Sequence, residues 1–430
     1  MKLEHALKWL KSHEACRGTF GLHRMEYLME KLENPHHDYA SVLIGGTNGK
    51  GSVTSLLESI VSVTPDYQTG ATISPHLIDL RERVRLQSES LPDTLWLKGI
   101  QALEEPVKIM SRESSLGAPS YFELVTALAF WAFRESERDL VFLEVGLGGR
   151  LDPTNVAHSE ISIITNIGTD HQEFLGPDRP SIAREKLGIV KRKGVLLTTE
   201  RDPEILQIFE TDCKEKKAQL IALHPNQGFK VLSSHPKGYQ VQIDGHAGPL
   251  EFPLPGRHQL DNLALALGAI ERLRRNGFDI SPEVVAKGIQ NVSWPGRLQW
   301  IPRHPPVLLD GAHNQEGLQS LLAYLREFPL PRPAHLILGV LNQKPAREMA
   351  VSLAPHVDSM AFVPPHSGRA LTMEDFVEQI QSVAPAWKWC ANLAEALSAG
   401  QSSNSILLTG SLYLVADYLR LPKQAKTETQ

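Results

Sequence analysis

The sequence predicts an α/β protein: a mostly parallel sheet covered by helices, followed by a second, Rossmann-like α/β domain. Two observations carry this. Short apolar runs alternate with helical periodicity along most of the chain, the pattern of strand–helix–strand units. At 430 residues the chain also exceeds one ordinary core, and a proline-rich, non-periodic stretch, "SWPGRLQWIPRHPP", separates two such rhythms.

In the first rhythm the strands are "SVLIG" (41–45), "GATIS" (70–74), "LVFLEVG" (140–146), "ISIITNIG" (161–168) and "GVLLTT" (194–199), with helices at 52–63, 121–135 and 179–191. From Gln219 to Pro255 the pattern alternates and turns at Pro236-Lys237-Gly238, which predicts a small antiparallel appendage before helical pattern resumes at 261–275. The second rhythm has strands "VLLDG" (307–311), "AHLILGVL" (334–341), "SMAFVP" (359–364) and "SILLTG" (405–410), with helices near 314–327, 345–354, 373–383 and 411–420. The expected domains are therefore 1–293 and 307–422, joined by a linker at 294–306, with a cleft between them and a frayed tail at 423–430.

Composition narrows the class. A net charge of −5 gives no field that would gather nucleic acid or anionic membrane. No apolar run approaches the ~20 residues that span a bilayer. The opening "MKLEHALKWLKSHEACRGTF" reads as an amphipathic helix and not a secretory signal. Three cysteines (Cys16, Cys213, Cys390) lack metal spacing and suit a reducing cytoplasm. The expectation is a cytoplasmic monomer acting on small molecules, with neither nucleic acid nor membrane as partner.

Chemistry concentrates at strand ends. "VLIGGTNGKGSVTS" (42–55) runs from strand through a glycine turn into a helix start, which presents backbone N–H groups and a positive dipole end to an anion. Thr47, Asn48, Gly49, Lys50, Gly51 and Ser52 would form an ATP-phosphate cradle, with Lys50 on the β and γ phosphates and the Ser52 hydroxyl on Mg²⁺. The strict P-loop spacing fails twice, at Ile44 and Gly51, so a plain glycine turn is the competing reading. "DLVFLEVGLGGRLDPTN" (139–155) carries Glu144 near the end of an apolar strand. A carboxylate there needs a partner, either Mg²⁺ or an arginine such as Arg150. "LLDGAHN" (308–314) puts Asp310 and His313 at a strand's carboxyl end, where α/β sheets bind ligands. Taken alone, Ser74-Pro75-His76 is a turn, His171 a polar turn residue, Lys186 a solvated helix lysine, and Arg83 and Arg85 structural.

The string "GTNGKGS" resembles the P-loop variant of ATP-dependent amide ligases, the Mur ligases and the folate synthases. "SPHLIDLRERV" (74–84), "DHQEFLGPDRPSIAREKLGI" (170–189), "PGRHQLDN" (255–262), "WPGRLQW" (294–300), "LLDGAHN" and "TGSLYL" (409–414) continue the match in order, nearly end to end. The chain is thus similar to the dihydrofolate synthase/folylpolyglutamate synthase family, a P-loop, Mur-ligase-like fold. That resemblance implies Mg²⁺ at Ser52, Ser74, Glu144 and His171, with Lys186 carbamoylated to support a second Mg²⁺. It implies ATP contacts from Asn262, Arg297, Asp310 and His313, and glutamate contacts from His313 and Ser411. Folate would meet Phe20, Gly21, Leu22, Ser120, Tyr121, Phe122, Glu123, Leu151 and Asp152. "SYFE" (120–123) resembles the bifunctional enzymes, so both dihydropteroate and tetrahydrofolate are expected acceptors. Catalysis would rest on Lys50, His171 and Lys186: γ-phosphoryl transfer makes an acyl phosphate, which the amine of L-glutamate attacks. Two departures stand out, Gln343-Lys344-Pro345 where "DKD" is usual and His23 where an acid is common. The rival readings are a Mur-type cell-wall ligase, a synthase that only extends polyglutamate, and a P-loop kinase or nucleotide sensor.

Overall fold

Strand β1 (Ala40–Gly45) is buried along five of its six residues, and it lies in the middle of an eight-stranded sheet. In this computed structural model, residues 2–15, 21–112, 116–342, 344–381 and 387–422 are described. Phe20, Cys16, Gln343 and the tail 423–430 lie outside them. The other strands of that sheet are β2 (Thr69–Thr72), β3 (Val84–Leu86), β4 (Glu89–Ser90), β5 (Leu140–Glu144), β6 (Ile161–Ile164), β7 (Val195–Thr198) and β8 (Gln219–Ala222), in the order β4-β3-β2-β5-β1-β6-β7-β8. β2, β5, β1, β6, β7 and β8 run parallel, with β3 and β4 added antiparallel at one edge. Continuous apolar burial in β5, β6 and β7 is what two helix-covered faces require.

The appendage is smaller than expected. Gln219–Ala222 pairs parallel with β7, because its register continues the main sheet, so only β9 (Phe229–His235), β10 (Gly238–Ile243) and β11 (Leu250–Phe252) form the three-stranded unit. Its hairpin turns at Pro236-Lys237, as the sequence signals.

The chain divides into two compact units, one of 1–230, 243–248 and 261–292, the other of 231–242, 249–260 and 293–430. The chain passes from the first unit to the second at 292–293, and most of the appendage belongs with the second unit. The expected linker is not a bare connector either. Its Gln299–Ile301 forms β12, antiparallel to β13 (Val307–Leu309). With β14 (Ala334–Leu338), β15 (Ser359–Phe362), β16 (Lys388–Trp389) and β17 (Ser405–Thr409) these make a six-stranded sheet, β12-β13-β17-β14-β15-β16. Alternation is hidden in β12 by tryptophan and proline neighbours, so only pairing reveals it. Pro345 directly precedes the helix Ala346–Leu353.

Helix starts follow local chemistry. Ser120 and Glu123 form a reciprocal capping box for Tyr121–Glu135, and Asp178 caps Arg179–Leu187 with Pro180 in its first turn. No described helix is long and apolar enough to cross a membrane.

Candidate active site

The loop after β1 is packed too closely to carry side chains at its glycines. Gly46 and Gly49 sit at φ +134° and +90°, and a Cβ on them would lie 1.8 Å from Thr165 Oγ1 and 2.5 Å from Asn262 Oδ1. Hydrogen bonds in both directions tie the loop to the segment after β6. Thr47 N donates to Asn166 O (3.0 Å), Asn48 N to Asn166 Oδ1 (3.1 Å), Thr165 Oγ1 to Asn48 O (2.6 Å) and Gly168 N to Thr47 Oγ1 (2.8 Å). The helix Lys50–Val61 begins at Gly49 without a side-chain cap, so its end presents main-chain N–H groups and a positive dipole. Gly51 and the buried Ser52 occupy its first turn.

Two lysine side chains converge on one carbonyl. Lys50 Nζ donates to Gly46 O and Thr47 O, both at 3.1 Å, and Lys186 Nζ donates to Gly46 O at 2.9 Å. Lys186 is only 5% exposed, so the solvated helix lysine expected from its residue pattern alone is corrected: the helix Arg179–Leu187 turns it inward. Burial, then the nearby Lys50 charge, bring its pKa down to about 7.

Because β2, β5, β1 and β6 are adjacent and parallel, their carboxyl ends bring Ser74, Glu144, the glycine loop and residues 165–171 to one edge. Glu144 is buried, and its Oε2 accepts from Ser74 N at 3.0 Å. Arg150 instead binds Glu185 at 2.9 Å, so it is not the arginine that partners Glu144. Thr72, Ser74, Arg83, Phe122, Glu144 and Thr154 line a small cavity there.

Glu144 and the hydroxyls of Ser52 and Ser74 are hard oxygen donors of the kind Mg²⁺ takes. Among the described residues no three His, Cys, Asp or Glu side chains converge as a cage. Mg²⁺ commonly takes one or two carboxylates together with substrate phosphates, so the residues fit it. His171 is exposed, at φ 58°, with Nε2 3.9 Å from Asp170 Oδ2. One arrangement escaped sequence reading: Glu200 Oε2 accepts from Ile167 N (2.9 Å) while Arg179 Nε donates to Ile167 O (3.0 Å). This clamp fixes the segment between Thr165 and His171, and no local pattern announces partners 33 and 12 residues away.

The expected folate residues divide into two roles. Glu123 is buried and committed: Arg24 Nε reaches its two oxygens at 2.9 and 3.2 Å, and Ser120 donates from N (2.7 Å) and Oγ (2.8 Å). Asp152 is buried too, accepting from Leu147 N (2.8 Å), Thr154 N (3.0 Å) and Thr154 Oγ1 (2.6 Å), and burial pushes its carboxyl pKa up. Both carboxylates are held by main-chain and side-chain donors of the chain itself, so their bonds fix the local backbone. Phe122 packs where a Cβ on Gly146 would lie 2.4 Å from its ring. The Tyr121 ring lies 5.5 Å from the Arg83 guanidinium, and burial pushes its hydroxyl up to about 12. Gly21 and Leu22 lead into the helix His23–Lys31, and Leu151 is half-buried beside Asp152.

In the second unit, Asp310 follows β13 and accepts from Leu298 N (3.0 Å) and Ala312 N (2.9 Å). Its carboxyl pKa is raised by burial, against the charge of Arg297. That guanidinium lies where a Cβ on Gly311 would be 2.3 Å from it, and His313 Nδ1 is 2.8 Å from Gly311 O. Ser411 Oγ accepts from Leu414 N at 3.1 Å, capping the helix Leu412–Arg420.

Comparison with known proteins agrees with this arrangement. Residues 44–270 match the Mur ligase middle domain and residues 296–412 the Mur ligase glutamate ligase domain. The chain is 31% identical to the dihydrofolate synthase/folylpolyglutamate synthase of Bacillus subtilis, covering 96% of this chain and 97% of that one. Among solved structures it resembles Mycobacterium tuberculosis folylpolyglutamate synthase complexed with ADP (TM-score 0.87, 28% identity, 100% and 99% coverage). It also resembles E. coli FolC in complex with DHPP and ADP (TM-score 0.82, 28% identity, 97% of each chain). With the phosphate-cradle geometry, the inward lysine and both matched domains in hand, the chain belongs to the dihydrofolate synthase/folylpolyglutamate synthase family of Mur-type ligases.

Proposed function

We propose that this chain uses ATP to join L-glutamate to dihydropteroate and to tetrahydrofolates through an acyl phosphate, releasing ADP and phosphate. The observation that carries the reading is the shared strand edge. It sets the glycine loop, whose main-chain N–H groups suit phosphate, near a buried carboxylate and the small cavity lined by Ser74 and Arg83. The complex of the E. coli relative with DHPP and ADP supports the same pairing of ligands.

A free acid and amine form a salt, so the acid's oxygen must first be phosphorylated. The loop amides and Lys50 hold and neutralise the terminal phosphates, and their fixed positions spare the reaction the reorganisation that water would need. Ser52, Ser74, Glu144 and His171 would hold Mg²⁺, which when bound would supply positive charge to offset that of the transferring phosphate. Lys186, with its lowered pKa, has the neutral amine that CO₂ requires: the nitrogen lone pair forms the N–C bond, one proton leaves, and a carbamate carrying one negative charge results. Asn262, against the glycine loop, is assigned to the adenine side, and Arg297, Asp310 and His313 to nucleotide and Ser411 to glutamate in the second unit. The buried free cysteines Cys213 and Cys390 suit a cytoplasmic setting.

ADP release by the purified protein should require both L-glutamate and a pteroate, with dihydropteroate and tetrahydrofolate each accepted. Turnover on a UDP-muramyl acceptor, or phosphorylated product without amide, overturns the proposal. Activity with tetrahydrofolate alone reduces it to the polyglutamate-extending reaction.

A further inference from the structure

Residues 79–90 carry three arginines at alternate positions, and the fold uses them differently. Arg81 bonds Asp79 and Asp93, both at 2.8 Å. Arg85 pairs at 3.1 Å with Glu58, which is fully buried on the helix that begins at the glycine loop. Arg83, between them, pairs with no carboxylate among the described residues. Its Nε donates to His76 Nδ1 at 2.9 Å, its guanidinium lies over the Tyr121 ring, and it lines the cavity shared by Ser74 and Glu144. Arginine nitrogens only donate, so His76 Nδ1 is the acceptor and the ring's proton sits on Nε2. One edge of the guanidinium is thus fixed and one face is covered, which leaves the N–H groups of its terminal nitrogens as a preset fork.

A planar fork with its orientation already determined matches a carboxylate bidentately. Position favours the acid over the nucleotide. Arg83 directly precedes β3, and Ile73 N donates to Arg83 O at 3.1 Å, so it stands at the β2 end of the edge. β5, with Glu144, lies between it and the phosphate loop of β1. An acid brought beside the Glu144 carboxylate meets like-charge repulsion, and a cation in the same cavity offsets it.

We propose that Arg83 is a specificity-determining residue whose guanidinium receives the carboxylate of the acceptor acid before that acid is phosphorylated, with His76 and Tyr121 as its positioning residues. This rests on the pteroate reading above. It departs from the structural role expected for Arg83 from sequence.

The test measures binding of 7,8-dihydropteroate and of its primary carboxamide to the full chain by calorimetry, with a non-hydrolysable ATP analogue present. Wild type should prefer the acid over the carboxamide by ~10–100-fold, the range for charge-assisted hydrogen bonds. Arg83→Gln should shrink that preference to within about threefold by losing acid affinity alone, with carboxamide and nucleotide affinity unchanged. Arg83→Lys, which keeps charge but not the fork, should fall between and gives a second folded variant. Full acid preference surviving in both variants overturns the assignment of Arg83 and leaves the pteroate reading intact. Loss of nucleotide affinity with acid preference retained overturns it in favour of a phosphate ligand. Wild type binding neither pterin compound would sink the pteroate reading itself, and this inference with it.

Discussion

Lys186 gives the most quantitative expectation. An ordinary lysine is protonated at pH 8 in all but about 0.3% of molecules, whereas one titrating at about 7 is about 90% neutral, a gain of roughly 300-fold in the amine that captures CO₂. Supplying ¹³C-bicarbonate at constant dissolved CO₂ should therefore produce a carbamate carbonyl signal in wild type that rises steeply between pH 6 and 8, as the amine loses its proton and as carbamate formation releases another. Lys186→Met should abolish that signal and the ligase activity together. The same group sets a stability trend in CO₂-free buffer. Its folded pKa is lowered, so between about pH 7 and 10.5 the unfolded chain binds the extra proton, and unfolding free energy rises with pH across that window. The stability advantage of Lys186→Met over wild type should accordingly be largest at or below pH 7 and vanish toward pH 10.5. A carbamate signal equally strong at pH 6 and 8, or shared by the methionine variant, refutes the reasoning.

Other perturbations follow from contacts already described. Gly49→Ala places a Cβ 2.5 Å from Asn262 Oδ1 at φ +90°, and should cost about 1–2 kcal/mol of stability and at least tenfold in nucleotide affinity by titration. Unchanged nucleotide binding would contradict the close-packed loop. Arg24→Met strands the buried Glu123 carboxylate, so denaturant unfolding should show a loss of about 3–5 kcal/mol. A loss below 1 kcal/mol would mean that the Ser120 donors alone satisfy Glu123.

The amino-acid order alone determined the two α/β rhythms, because strand–helix alternation is a local pattern that survives without knowledge of partners. It also carried the glycine loop, the Glu144 strand end and the ordered motifs of the family, since each is a short string whose chemistry is legible in place. Pairing was another matter. Gln219–Ala222 reads as appendage until β7 lies beside it, and Gln299–Ile301 reads as linker until β13 does. The surroundings of individual side chains were decided by distant partners. Lys186 faces Gly46 O across 140 residues, and Glu123 binds Arg24 across 99. Arg83 and Arg85 look alike in the string, yet one lines a cavity and the other is held by Glu58. Burial and ion pairing depend on which segments meet in space. Charge type and spacing therefore announce that a group can react, while only the tertiary fold decides whether it is shielded, paired or presented.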